Sequence, residues 1–373
     1  MILRSHQFAP VEWLSRRKRG LVVSPAGSGK TVIAAAALWN VLNARPRTAK
    51  VRVGWIANTH EQCEQARAAL DQFPGLRGSG AEGKASVSVR CAAAGADWSD
   101  CALLIVDEAH HAAAPGWREQ IETCQGARWG FTATPDGEGD EGEERNAVLR
   151  ELFGEERFTV DRAEVGSLVA RAKVKLLDAA DTGLRLAMDA EIARVYGYRS
   201  RYWGGDPGKL RAMVSWQVCV EMGIVGNAAR NSAAIDACMD HRGESVLVLV
   251  NQVEHAKQFA AQVEAVACHS GMGAKNRRHA LHDFKTGKLK CVVATSLADE
   301  GLDVPRASVL VLVSGGRSRA KAEQRTGRVL RAFAGKEHGT IYDFADTFHP
   351  LMRKHAEARQ AVYRALGYEI MPG

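Results

Sequence analysis

The octapeptide SPAGSGKT at 24–31 has the chemistry of a phosphate cradle. Gly27 and Gly29 let the backbone turn tightly enough to aim N–H groups at an anion, and a helix opening at Thr31 presents its positive end to the same point. Lys30 can then reach the β- and γ-phosphates of ATP and the Thr31 hydroxyl can ligate Mg²⁺, with Ala26 and Ser28 completing the loop. The bare pattern asks for Gly at position 24, where this chain has Ser24. A second segment, LLIVDEAHH at 103–111, delivers two carboxylates and two histidines at the end of an apolar run. Asp107 is placed to hold Mg²⁺, and Glu108 to orient or deprotonate an attacking water, because phosphoryl transfer needs positioning and charge neutralisation above all. A third, QRTGRVLR at 324–331, carries Arg328 and Arg331, which can offset charge on a transferring phosphate. In phosphoryl-transfer systems that effect reaches roughly 10³–10⁵ in rate. The three together predict an ATPase built at a seam.

Such groups need a rigid sheet behind them, and the pattern supplies one. Gly20 to Ser24 reads as a short buried strand and Thr31 to Leu42 as a packed helix around the glycine loop. VRVGWIAN at 51–58, ALLIVD at 102–107 and ARWGFTATP at 127–135 read as further strands, and 59–73 as a helix capped by Thr59. Strands alternating with helices imply a parallel sheet. The acidic glycine-rich stretch at 136–144 reads as a surface loop. From about 184 to 231 the pattern is helical, and then SVLVLV at 245–250, LKCVVATS at 289–296 and SVLVLVSG at 308–315 imply a second parallel sheet. The chain therefore reads as α/β with two domains, 1–160 and 161–373, the helical insertion belonging to the second.

Composition narrows the setting. With 46% hydrophobic and 25% charged residues the chain is globular, and its apolar runs fall short of the roughly 18–20 residues a spanning helix requires. The start, MILRSHQFAP, has no export-signal pattern, so an intracellular, cytoplasmic location is expected, at the nucleoid or in a phage-infected host. Eight cysteines without metal-type spacing read as small core residues. A net charge of +7 suits a phosphate-bearing partner, and Arg16 to Arg19 read as an exposed basic turn.

The ordered set Asp107-Glu108-Ala109-His110, Phe131-Thr132-Ala133-Thr134-Pro135 and Gln324 through Arg331 resembles the motifs of a superfamily 2 helicase, across nearly the whole chain. The resemblance implies two tandem RecA-like domains. It implies that Gln7 in LRSHQ reads the adenine edge with Arg4 beside it, and that Asp303 approaches the ribose. His110, Thr132, Thr134 and Gln324 would couple hydrolysis to movement, and Arg328 and Arg331 would be arginine fingers. Thr59, Asn251, His269, Ser270 and Thr295 would lie on the nucleic-acid track, although Asn58 stands where the family usually has proline.

Within the superfamily the wording EGLDVP with QRTGRVLR is most similar to the branch of phage branch-migration helicases, restriction-enzyme motor subunits and the transcription and repair translocase. The branch implies duplex, forked or branched DNA as substrate, ahead of RNA, and 3′-to-5′ movement if strands are parted. Contacts to phosphates carry no base sequence, and a motor of this kind is expected to be either a phage or mobile-element helicase or one that borrows its target from a protein partner. Two other readings use the same residues: an RNA helicase, and an ATP-gated clamp that closes on nucleic acid without stepping.

Overall fold

A computed structural model describes residues 3–25, 27–44, 51–73, 76, 85–133, 139–165, 171–179, 182–295, 304, 306–316, 326 and 338–373. The chain divides into two compact units, Met1–Val169 and Ala170–Gly373.

The first unit runs α1 (Ser5–Ser15), β1 (Arg19–Val23), α2 (Lys30–Asn43), β2 (Val51–Ala57), α3 (His60–Asp71), β3 (Ala85–Cys91), β4 (Leu103–Asp107), α4 (Pro115–Thr123), β5 (Ala127–Thr132), α5 (Gly139–Phe153), β6 (Arg157–Thr159) and α6 (Arg162–Val165). All pairings are parallel, in the order β3-β2-β4-β5-β1-β6. Every residue of β4 is buried, as expected where helices cover both sheet faces. Asp107 pairs with Phe131 and Val23 with Thr132, so the carboxyl ends of β4, β5 and β1 stop at one level. That shared edge is where open α/β sheets place their ligands.

The second unit runs β7 (Arg171–Leu177), α7 (Thr182–Arg199), α8 (Pro207–Val218), a wide π-type turn at Cys219–Val225, α9 (Ala228–Met239), β8 (Val246–Leu249), α10 (Val253–Gln262), β9 (Val266–Cys268), α11 (Ala274–Thr286), β10 (Cys291–Ala294), β11 (Val309–Leu312), β12 (His338–Phe344), α12 (Pro350–Ala365) and β13 (Glu369–Pro372). Its parallel sheet has the order β13-β7-β12-β11-β8-β10-β9. The four-residue β8 and β11 are wholly buried at its centre, while α7, α8 and the π-type turn pack together beside it.

One expected loop is a helix. From Gly139 the acidic stretch already belongs to α5, whose far end packs Leu149, Leu152 and Phe153 into the core. Glycines at its start suggested a loop, and burial of the apolar residues that follow overrides that local preference. Four short or edge strands (β3, β6, β9 and β13), together with β7 and β12, were not read from the pattern. The cysteines are free, and all except the half-buried Cys291 are buried. Among the described residues no helix is long and apolar enough to cross a membrane.

Candidate nucleotide site and nucleic-acid edge

The glycine loop leaves β1 at Val23 and enters α2 at Lys30. Gly27 and Gly29 have φ of 83° and 85°, a left-handed backbone that glycine adopts without penalty. A side chain at Gly29 would also collide with Gln7, whose Nε2 lies 2.5 Å from the Cβ position. Ser24, the departure from the bare pattern, has a role: its hydroxyl donates to Ser28 Oγ at 2.6 Å, and both serines are fully buried. The Ser28 carbonyl in turn bonds Gln7 Nε2 at 3.0 Å and His6 Nε2 at 2.9 Å. Gln7 Oε1 accepts from the Arg4 N–H at 3.0 Å, which fixes the amide's orientation. His6 is thus part of the loop's support and was missed from sequence, where only its place beside Gln7 singles it out.

Thr132, the last residue of β5, ties this loop to the acidic segment. Its carbonyl accepts from Ser24 N at 2.9 Å, and its hydroxyl bonds His110 Nδ1 at 3.0 Å. Burial drives the His110 pKa down to about 4 against an opposing pull from Glu108, so the imidazole is neutral at pH 7.

Asp107 is buried at the end of β4 and accepts the Glu108 N–H at 3.0 Å. Burial and then the Glu108 charge push its pKa up, partly offset by Lys30. Lys30 Nζ reaches the Ser24 carbonyl at 3.5 Å. Glu108 sits at φ 50°, ψ 49°, a left-handed conformation that costs a non-glycine residue about 1–3 kcal/mol. Its Oε2 is buried with no hydrogen-bond partner among the described residues, and His110 Nδ1 lies 3.5 Å away. An acceptor held in this way is suited to a water.

These residues fit a Mg²⁺-nucleotide. Among the described residues no cluster of three or more His, Cys, Asp or Glu could hold a metal alone. Mg²⁺ requires less, one or two protein oxygens with phosphates and water, and Thr31 with Asp107 is such a pair.

The second unit brings three predicted track residues to one edge. Leu249 and Cys268 both pair with Ala294, so Asn251, His269 and Thr295 follow the ends of the neighbouring strands β8, β9 and β10. Asn251 Nδ2 donates to the Ser314 carbonyl, Thr295 is buried, and Ser270 is exposed beside His269. Thr59 belongs to the first unit and caps α3, its hydroxyl accepting from Gln62 N at 3.2 Å. Arg17 and Arg19 of the basic turn are held by Glu156 Oε2 at 2.5 Å and the Glu151 carbonyl at 3.1 Å. Ala26, Thr134, Asp303, Gln324, Arg328 and Arg331 lie outside the described residues.

One pH dependence follows from burial. His255, bonded to Asn231 Oδ1 at 2.8 Å, is also lowered to about 4, by burial and then by Arg230. The unfolded imidazole titrates near 6.5, so the unfolded chain gains protons first as pH falls. Stability should be intact above about pH 6.5 and decline as pH falls toward 4. Thermal melts across that range should drop, and His255→Asn should flatten the decline. An unchanged slope would mean that His255 titrates alike in both states.

Both units have counterparts among known proteins. Residues 1–137 match the family described as "Type III restriction enzyme, res subunit", and residues 229–333 match the "Helicase conserved C-terminal domain". The DNA 3'-5' translocase XPB2 of Sulfurisphaera tokodaii is 23% identical over 360 residues, which cover 88% of this chain and 78% of that protein. The putative DNA 3'-5' helicase Rad25 of Halobacterium salinarum is 26% identical over 346 residues, covering 88% of this chain and 52% of its own length. The chain thus spans only about half the length of that second relative. Among solved structures, Saccharomyces cerevisiae Dbp5 bound to RNA and ADP BeF3 has a TM-score of 0.63 at 12% identity, covering 99% of this chain and 90% of its own, a likeness of fold. The two parallel-sheet units are RecA-like domains in tandem.

Proposed function

The chain belongs to the superfamily 2 helicases and translocases, and from that membership we propose that it is an ATP-driven DNA motor that moves along or remodels duplex, forked or branched DNA, 3′-to-5′ where it unwinds. The observation that carries the reading is Thr132, whose carbonyl holds the phosphate loop while its hydroxyl holds His110. A shift in the loop on nucleotide binding is transmitted through one buried residue to the segment that bears Glu108.

In this reading the loop N–H groups and Lys30 bind the phosphates, and Arg4 and Gln7 support the adenine side. Thr31 and Asp107 hold Mg²⁺, which when bound offsets phosphate charge. Glu108 orients the attacking water and takes its proton, and Arg328 and Arg331 supply positive charge as hydrolysis proceeds. Asp303 is assigned to the ribose. Thr134 and Gln324 are assigned to coupling with His110 and Thr132. Thr59 and Thr295 are assigned to the DNA backbone, and Asn251, His269 and Ser270 to the nucleic-acid track beside it. Phosphate contacts position a protein without selecting bases, so targeting is assigned to a protein partner.

The test is steady-state ATP hydrolysis without polynucleotide and with duplex DNA, single-stranded DNA, a forked junction and RNA, at two salt concentrations. Duplex or forked DNA should stimulate turnover, less so at high salt, and Lys30→Ala should abolish it. Stimulation by RNA alone would replace the DNA reading. Normal turnover in Lys30→Ala would remove the phosphate-loop assignment.

A further inference from the structure

The second unit contains a cavity of about 1050 Å³ beneath the α7–α8 pair, bounded by the loops after β8 and β11 and by α12. Such a volume lies at the upper end of small-molecule sites and exceeds what one nucleotide needs. Its walls combine four kinds of chemistry. Trp216 and His355 present rings whose centroids are 4.8 Å apart. Asn251 and Gln252 contribute side-chain amides, which match the donor and acceptor edges of a base. Gly315 and Gly316, at φ of 61° and 98°, expose backbone without side chains. Arg211, exposed at the mouth, adds a cation.

The charge balance selects among nucleotide ligands. Arg359 also lines the cavity but is neutralised by Asp343, and among the described lining residues the one carboxylate, Asp189, sits 3.6 Å from His349 Nε2. Among the described lining residues Arg211 is the guanidinium not tied to a buried carboxylate, and one such charge suits the single charge of a phosphodiester better than the several charges of a free nucleotide. The approach is basic and aromatic as well. Between positions 194 and 211 the chain carries five bases against one acid, Asp206, interleaved with Tyr196, Tyr198, Tyr202 and Trp203. Tyr198 and Tyr202 are 62% and 78% exposed with rings 5.8 Å apart, and the Arg211 guanidinium lies 5.7 Å from the Tyr196 ring at the cavity mouth. Exposed aromatic faces among cations are what sequence-tolerant binding of unpaired strands uses.

Resting on the nucleic-acid reading above, we infer that this cavity receives one unstacked base of the bound DNA strand, stacked on Trp216 and hydrogen-bonded by the amides of Asn251 and Gln252, with its phosphodiester on Arg211. Bases within a duplex are stacked and cannot enter, so the cavity favours unpaired strand at a fork or branch. Asn251 links it to the edge that also bears Thr295 and His269.

The experiment is fluorescence anisotropy on the full chain with two single strands of equal length, one of deoxythymidylates and one of abasic tetrahydrofuran residues. The base-bearing strand should bind about tenfold tighter, and Arg211→Ala, Gln252→Ala and Trp216→Leu should each shrink that ratio. Because Trp216→Leu could disturb folding, the two exposed substitutions carry the result. A 4-thiothymidine strand should cross-link at Trp216 or His355. Equal affinity for both strands in a protein whose ATPase DNA still stimulates would overturn the cavity and leave the motor. A ratio unmoved by the substitutions, with cross-links confined to Tyr202 and Trp203, would place stacking on the exposed α7–α8 connection and overturn it as well. Binding of neither strand, with no stimulation by any polynucleotide, would overturn both readings.

Discussion

Glu108→Gln is expected to bind ATP normally and to hydrolyse it about 10²–10⁴ times more slowly, the range seen when a positioned general base is lost. Glutamine keeps the size of the side chain and the left-handed backbone at φ 50°, so the loop geometry should survive. What is lost is proton-accepting capacity at an Oε2 that is buried with no hydrogen-bond partner among the described residues. The neighbouring Asp107 cannot substitute, since it already accepts the Glu108 N–H and is assigned to Mg²⁺. Nucleotide binding by fluorescence and hydrolysis under single-turnover conditions separate the two effects. Wild-type hydrolysis would mean that some other group orients the water, and the strained backbone at 108 would then need another explanation.

Arg359→Met should destabilise the second unit by about 3–5 kcal/mol, because it strands a buried carboxylate. Arg359 is nearly inaccessible and grips Asp343 with two bonds, Nε to Oδ2 at 2.8 Å and Nη2 to Oδ1 at 2.9 Å. It also donates to the Gly316 carbonyl at 2.7 Å, tying α12 to the loop after β11. Burial alone would raise the Asp343 pKa, but the Arg359 charge, its hydrogen bonds and the Tyr363 hydroxyl at 2.7 Å hold it below the usual carboxylate range. A second pair stands alongside, with Arg230 Nε 3.0 Å from Asp346 Oδ1. Thermal or denaturant unfolding measures the loss, and adding Asp343→Leu to Arg359→Met should recover much of it, since replacing both ions by apolar groups removes the uncompensated charge. A variant as stable as wild type would show that water reaches Asp343.

How much could be read in advance depended on how local each feature is. The central strands β4, β8 and β11 announce themselves because a strand buried on both faces must be apolar until it reaches the edge of the sheet, where β4 ends in Asp107. Strands toward the margin of a sheet need not be. β3, ASVSVRC, is exposed at alternate positions, and β7, RAKVKLL, carries two lysines between its apolar residues. Their strand identity comes from pairing with β2 and β12, a partner choice that no short window contains. The helix α5 hid for the same reason, its glycine-rich start outweighed by the burial of Leu149, Leu152 and Phe153.

The sequence by itself determined the phosphate loop and the acidic tetrad. Each is a contiguous stretch whose chemistry follows from backbone freedom at Gly27 and Gly29 and from carboxylates placed at a strand end. Only the tertiary structure decided that Thr132 joins Ser24 to His110, that His6 and Gln7 carry the Ser28 carbonyl, that Arg359 finds Asp343, and that Trp216 and Asn251 face one cavity. Those contacts link separate elements, and they exist only once strand order and register bring the ends of the strands to a common level.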